Sequence, residues 1–217
     1  MPKNIDYWER VLKSPTSSYE ELFECERKYL VEHITAGLNV LDIGCGEGRN
    51  MRTILEKTQE VVGVDSDEKA VEDAQKYFLN IPTVKVLNAN AAKLPFDDQV
   101  FDVVTFLMIL PNLDKSKDVV MNEIARVLKN SGKVILSTFS DDAFDERMKI
   151  YKQVGVPISR IEGTKFIFDE SLGANISEQF SKTQIEELAH RAGLKMLDIQ
   201  KVDSIAYICM LEKEFKV

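Results

Sequence analysis

Between Val40 and Gly48 the chain reads Val-Leu-Asp-Ile-Gly-Cys-Gly-Glu-Gly, with one carboxylate, Asp42, inside an apolar run and three glycines, Gly44, Gly46 and Gly48, spaced two apart behind it. Glycine adopts backbone angles that other residues avoid and lets a ligand approach the main chain closely. Strand, glycine turn and following helix therefore make a cradle for a nucleotide-type ligand. A phosphate-binding loop of the G-x-x-x-x-G-K-[S/T] kind needs a lysine after its last glycine, but Gly48 is followed by Arg49 and Asn50. A dinucleotide fingerprint is spaced G-x-G-x-x-G so that the pyrophosphate rests on the helix N-terminus. Here the spacing is G-x-G-x-G, and Glu47 stands where a diphosphate would approach. The local charge suits a ligand with a cationic centre and a ribose but no phosphate, with Asp42 and Glu47 as partners for an amino group.

Seventeen positions after Gly48, at the end of Val61-Val62-Gly63-Val64, comes Asp65 with Ser66 beside it. That is close to the spacing at which an acid hydrogen-bonds both ribose hydroxyls, and its charge repels a 2'-phosphate. Asp42 costs several kcal/mol in an apolar strand unless it is paired. Amides of the glycine turn or the ligand itself are its expected partners. S-adenosyl-L-methionine fits this description.

Val40 to Gly48 resembles the first motif of class I S-adenosylmethionine-dependent methyltransferases, and further segments resemble the family in the same order. Val61 to Asp65 is similar to its second strand, Asn90-Ala91-Ala92-Lys93-Leu94-Pro95-Phe96 to the stretch beside the adenine, and Phe101-Asp102-Val103-Val104 to the fourth strand. Ile124 to Lys129 is similar to the helix before the fifth strand. The resemblance implies that the cofactor is held by Asp42, Gly44, Cys45, Gly46, Gly48, Asp65, Ser66, Asn90, Ala91 and Leu107. Cys45 reads as a small filler in the loop, Asn90 either faces the adenine where the family often has Asp or satisfies its own backbone, Ala91 offers its backbone, and Leu107, with Phe106 and Met108, either packs on the methionine portion or belongs to the core. The wider group includes quinone-biosynthesis enzymes, and Gly46-Glu47-Gly48-Arg49-Asn50 is also similar to tellurite-resistance members. The implied reaction is in-line transfer of the sulfonium methyl to an O, N or C atom of a small-molecule acceptor, releasing S-adenosylhomocysteine. A protein methyltransferase, a non-catalytic domain that binds this cofactor and a nicotinamide-dependent oxidoreductase are the alternatives.

The elements that must position these residues are legible between Gly37 and Phe139. There short β-branched runs alternate with longer amphipathic stretches, as in a parallel sheet covered by helices on both faces. Strands are expected near 38–43, 60–64, 83–88, 100–107 and 133–139. Helices should start after Gly46, at Asp67 and near Ser116, with Asp67 as an N-cap. Leu194 to Val202 and Ile205 to Leu211 should close the sheet as an antiparallel hairpin turning at Asp203-Ser204, after a helix from Thr183 to Ala192. The expected fold is a Rossmann-like, doubly wound, seven-stranded α/β sheet, mostly parallel, in one domain. Residues 1–36 would form a helical cap, 37–140 the cofactor core, 141–177 an irregular insertion shaping the acceptor pocket, and 178–217 the closing helix and strands.

In the cap, Ser18 and Glu21 have capping-box spacing, and Leu22, Phe23, Leu30 and Ile34 share a face, so a helix from Tyr19 to about Ala36 is expected. A shorter helix from Asp6 to Lys13 would carry Tyr7 and Trp8, either over the cofactor or as packing anchors. Lys165 to Asp169 alternates like a strand.

The bulk properties remove other classes. At 44% hydrophobic and 29% charged, the 217 residues resemble an ordinary globular chain. The net charge of −8 comes without a basic run, so nucleic acid is not an expected partner. The longest apolar run, Val103 to Leu110, is too short to span a membrane, and Pro2 to Asp6 lacks the apolar core of a signal peptide. A cytoplasmic protein, monomer or homodimer, is expected. Cys25, Cys45 and Cys209 have no metal-binding spacing, and no metal is expected. His33 and His190 lie on expected helices away from the ligand edge. Leu110-Pro111-Asn112 stands where many relatives have a histidine, and Leu107 to Asn112 carries neither an Asn-Pro-Pro-Tyr nor a Pro-Cys motif. No catalytic residue is assigned.

Overall fold

A computed structural model describes residues 7–169 and 176–214, with the side chains of 7–9 excepted. Pro2 to Asp6, Gly173 and the side chains of Tyr7 and Trp8 fall outside that set, and the short helix expected near the start is α1 (Tyr7–Lys13). Strands β1 (Val40–Ile43), β2 (Val61–Asp65), β3 (Val84–Asn88), β4 (Phe101–Leu107) and β5 (Leu128–Phe139) run parallel. β9 (Leu194–Val202) and β10 (Ala206–Lys213) form the antiparallel hairpin, and β10 pairs antiparallel with β5. The order across the sheet is β3-β2-β1-β4-β5-β10-β9. The chain leaves β1 in one direction for β2 and β3, then crosses back to place β4 on the other side. That reversal beside β1 is where such sheets open a crevice at the carboxyl ends of their strands.

Alternation along the strands supplies two cores. Leu41, Ile43, Val104, Phe106, Val134 and Leu136 pack on one face with α5 (Lys117–Val127) and α7 (Lys182–Arg191). Val40, Val103, Leu107, Ile135 and Phe139 pack on the other with α2 (Ser17–His33) and α3 (Arg49–Leu55). By the period of two, Asp42, Thr105 and Ser137 also point to this second face, as a polar row on an otherwise apolar surface.

α4 (Glu68–Tyr77) begins as expected at Asp67, whose carboxylate accepts from Lys69 N at 2.8 Å and Ala70 N at 3.2 Å. Asp67→Ala is expected to destabilise the fold by about 1 kcal/mol, read as a lower urea midpoint. An unchanged midpoint would mean that water caps the helix as well. The Ser18–Glu21 box does not form. α2 starts earlier, at Ser17, its N-cap Thr16 makes no side-chain bond, and the buried Ser18 hydroxyl donates instead to Glu146 Oε2 at 2.7 Å. A tertiary carboxylate outcompetes the local cap. The capping box that does form, Ser181 with Gln184, heads α7.

The segment after β5 is more regular than its composition suggests. It contains α6 (Phe144–Gln153) and an antiparallel sheet of β6 (Ile158–Glu162), β7 (Lys165–Phe168) and β8 (Ile176–Ser177). Arg147, 0% exposed, joins these pieces: its guanidinium donates to Thr164 O, Gln179 Oε1 and both oxygens of Ser177, and lies against Phe139 and Phe166 at 4.9 and 4.6 Å. Planar, forked donors between two rings suit Arg and not Lys. Arg147→Lys is therefore expected to lower stability by about 2 kcal/mol in chemical denaturation, and an unaltered transition would show that the ring and carbonyl contacts contribute nothing.

Candidate functional site

The glycine turn is held onto the carboxyl end of β2. Gly44 N and Cys45 N both donate to Val64 O, at 2.8 and 3.1 Å, and Gly48 N donates to Cys45 O at 2.9 Å. All three glycines have left-handed φ, at 74°, 53° and 86°, but space distinguishes them. A Cβ on Gly44 would lie 2.2 Å from Ile109 Cδ1, and one on Gly48 would lie 2.4 Å from the Phe78 ring. A Cβ on Gly46 would meet nothing within 4 Å. A Cβ at Gly44 or Gly48 would thus force Ile109 or Phe78 to move, while the open side of Gly46 leaves its main chain accessible.

Asp65 ends β2 beside this opening, half-buried. Its Oδ2 accepts from Gly46 N at 2.8 Å and its Oδ1 from Asp67 N at 2.9 Å. Each carboxylate oxygen keeps further acceptor capacity, so Asp65 aligns the loop and still faces a ligand's hydroxyls. Ser66 next to it is exposed. Asp65 O also accepts from Ala89 N at 2.9 Å, which draws the end of β3 alongside. Asn90 follows, exposed, its Oδ1 accepting from Ala92 N at 2.8 Å, so its side-chain oxygen serves its own turn while the NH2 stays available. Ala91 is half-buried in the same turn.

Asp42 is 1% exposed. Thr105 Oγ1 donates to its Oδ1 at 2.6 Å, while Oδ2 has no partner. The loop amides expected for it are occupied elsewhere, those of Gly44 and Cys45 by Val64 O and that of Gly46 by Asp65. Burial pushes the Asp42 carboxyl up to about 7, against the Thr105 hydrogen bond and nearby Arg49, with Asp65 and Glu26 adding to the rise. An unsatisfied, buried carboxylate oxygen next to a glycine cradle is a site for a cationic group. Cys45 turns its side chain inward, where its Sγ would lie 2.9 Å from a Cβ on Gly63, and burial raises its thiol well above the usual range. Its contribution at the edge is therefore its backbone.

Leu107 is buried at the end of β4. The chain then turns through Met108, whose φ of 57° is left-handed, with its N–H donating to Ser137 O and Ser137 Oγ, both at 3.0 Å. The turn carries Ile109 onto Gly44 and so joins the two halves of the crevice. All ten residues expected from the sequence lie at the carboxyl ends of β1 to β4 or in the turns that follow them.

The sequence reading missed the polar groups beneath this edge. Glu26 of α2, 1% exposed, accepts from Arg49 Nη2 at 2.7 Å and from Ser137 Oγ at 2.6 Å, and Arg49 lies over the Phe23 ring at 4.5 Å. One signal pointed there: Leu22, Glu26 and Leu30 are spaced by four, so a carboxylate occupies the apolar stripe of α2. His33 Nδ1 is within 2.9 Å of Tyr29 O with its ring stacked on Tyr29, and His190 lies exposed on α7, so neither stands at the crevice. Among the described residues no group of acids, histidines or cysteines has metal-binding geometry, and no helix is long and apolar enough to cross a membrane. Two surface depressions, one lined by Ala36 to Leu38 and Leu55 to Glu60 and the other including Asn39, Val61 and Thr83, open at the amino ends of β1 to β3, the opposite edge.

Comparison with known proteins agrees with this geometry. Residues 41–136 match the family described as a methyltransferase domain. The chain is 31% identical over 168 residues, 77% of its length, to a probable S-adenosylmethionine-dependent methyltransferase of Mycobacterium tuberculosis, of which it spans 57%. Among solved structures, a Pyrococcus horikoshii protein superposes with a TM-score of 0.72 at 24% identity, covering 99% of this chain and 96% of the other. The 1,6-didemethyltoxoflavin-N1-methyltransferase of Burkholderia thailandensis, with its substrate and S-adenosylhomocysteine bound, superposes with a TM-score of 0.72 at 17% identity, covering 95% of this chain and 83% of the other.

Proposed function

We propose, from the premise that this chain carries the cofactor domain of the class I S-adenosylmethionine-dependent methyltransferases, that it methylates a small-molecule acceptor. The observation that carries the cofactor's placement is the open side of Gly46 between Asp65 and the unsatisfied oxygen of Asp42. In this reading Asp65 accepts the ribose hydroxyls, the main chain of Gly44 to Gly46 lies along the cofactor, and Asp42 faces its ammonium or sulfonium charge. Asn90 and Ala91 border the adenine, and Leu107 borders the methionine portion. S-adenosylmethionine supplies an activated methyl: the acceptor's lone pair forms the new bond while the S–CH3 electron pair returns to sulfur, and any proton lost by the acceptor goes to solvent. Alignment supplies most of the rate, since effective molarities reach about 10^5 M or more, and no described histidine stands at the edge to act as base.

The small-molecule assignment is supported by what covers the acceptor side. Glu178 N donates to Pro111 O and Phe180 N to Phe139 O, so β8 and the residues after it are drawn onto the turns beyond β4 and β5. Glu178 pairs with Lys117 and Lys165, and Lys165 also reaches Asp114. A segment held down across this edge favours a small acceptor over a polypeptide. The Burkholderia relative by fold is named as a 1,6-didemethyltoxoflavin-N1-methyltransferase. The test is incubation with labelled S-adenosylmethionine against a metabolite extract and, separately, a cell-protein extract. Label in small-molecule products is expected. Label confined to protein would replace this reading with a protein methyltransferase, and cofactor binding with label in neither would favour a non-catalytic role.

A further inference from the structure

Glu26 of α2 bonds to both walls of the crevice. On one side its Oε2 accepts from Arg49, the first residue of α3 and the one directly behind the glycine turn. On the other its Oε1 accepts from Ser137 Oγ, which itself accepts from Met108 N at the left-handed turn after β4. The chain of contacts runs from the helix behind Gly48, through one buried carboxylate and one hydroxyl, to the turn whose next residue, Ile109, rests on Gly44. Nothing in this chain is needed to fill the core: Leu22 and Leu30, one turn away on each side, already pack α2. A buried charge kept where an apolar residue would pack calls for another reason.

We infer that Glu26, with Arg49 and Ser137, is a positioning unit that fixes the distance between the glycine turn and the turn after β4, and thereby holds the crevice at the width the cofactor requires. The inference rests on the cofactor placement given above. None of the three is a catalytic residue, because each acts on the cofactor through the backbone it holds. Removing Glu26 frees Arg49 and the Ser137 hydroxyl, so that the turn at Met108 keeps its main-chain bond to Ser137 O but loses the side-chain link that ties it to Arg49. Displacements of about 1 Å at such a site cost up to about 100-fold in ligand binding or rate.

The experiment is calorimetric titration with S-adenosylhomocysteine, alongside thermal melts, of wild type, Glu26→Gln, Arg49→Gln, the double variant and Ser18→Ala. Ser18→Ala breaks a different α2 contact, to Glu146, and serves as the purely structural control. Glu26→Gln and Arg49→Gln are expected to bind about tenfold or more weakly. The double variant should bind no more weakly than the worse single, because both break one contact. Ser18→Ala should melt earlier with an unchanged dissociation constant. The inference is overturned if Arg49→Gln and Glu26→Gln bind like wild type, if their effects add, or if Ser18→Ala weakens binding as much as they do. Arg49→Gln, at a partly exposed side chain, carries the test should Glu26→Gln fail to fold. Wild type that binds no S-adenosylhomocysteine would instead overturn the cofactor placement itself.

Discussion

Asp65→Ala is expected to weaken S-adenosylhomocysteine binding by about 100-fold or more. Hydrogen bonds to a charged group contribute about 1.5–3 kcal/mol each, and a carboxylate that accepts both ribose hydroxyls makes two of them. A second effect adds to the first. Asp65 also accepts from Gly46 N and Asp67 N, so its removal unpins the most open residue of the glycine turn and leaves the cofactor to order it. Asp65→Asn keeps an acceptor for one of those amides and should lose less. The carboxylate is half-buried at a strand end, so the melting temperature should change far less than the affinity. Calorimetric titration of the two variants checks this, and wild-type affinity in Asp65→Ala would show that the ribose is held elsewhere.

This edge was legible because its signals are local. Gly44 to Gly48 and Asp65 each announce a backbone geometry or a charge within a few residues of a strand end, and Asp67 caps α4 with its own immediate neighbours. Leu194 to Val202 could be bounded closely because Gly193 stops a helix and a period of two follows. The misreadings share the opposite property. Ser18 was read as a cap, yet its partner Glu146 lies 128 residues away, and no local pattern carries that contact. α6 went unforeseen because it is held by Arg147, whose partners at Thr164, Ser177 and Gln179 are brought together only by the fold. The sequence offers Asp42 the glycine amides or the ligand as partners and does not point to Thr105, which register across β1 and β4 places directly beside it.

Asp42→Asn is expected to separate stability from binding. Burial holds the native carboxyl up at about 7, against an ordinary value of 3.8 in the unfolded chain. Between those values the folded chain holds the Asp42 proton more tightly, so this group's contribution to stability is fully present at or below about pH 4 and is lost as pH rises toward 7. About 3 pH units of displacement correspond to about 4 kcal/mol lost above the window, an upper bound for a group with one satisfied oxygen. Asparagine carries no charge to desolvate but leaves an amide hydrogen unpaired, which costs about 1–3 kcal/mol. The net expectation at pH 8 is a ligand-free variant more stable than wild type by at most about 1–3 kcal/mol, with a flatter profile between pH 4 and 7.

Binding should move the other way. A cofactor that brings positive charge to Asp42 favours its ionised form, so wild-type affinity for S-adenosylmethionine should rise with pH up to about 7, with release of a proton on binding. In Asp42→Asn the pH dependence should vanish and affinity at pH 8 should fall by about 10- to 100-fold. Denaturation from pH 4 to 8 and titration in buffers of different ionisation enthalpy test the two halves separately. A variant less stable than wild type at pH 8 would mean that Asp42 is satisfied in the ligand-free protein. Unchanged affinity would place the cationic end of the cofactor away from it. If both halves hold, the chain retains at Asp42 a charge that weakens the ligand-free fold, because the ligand supplies its missing partner.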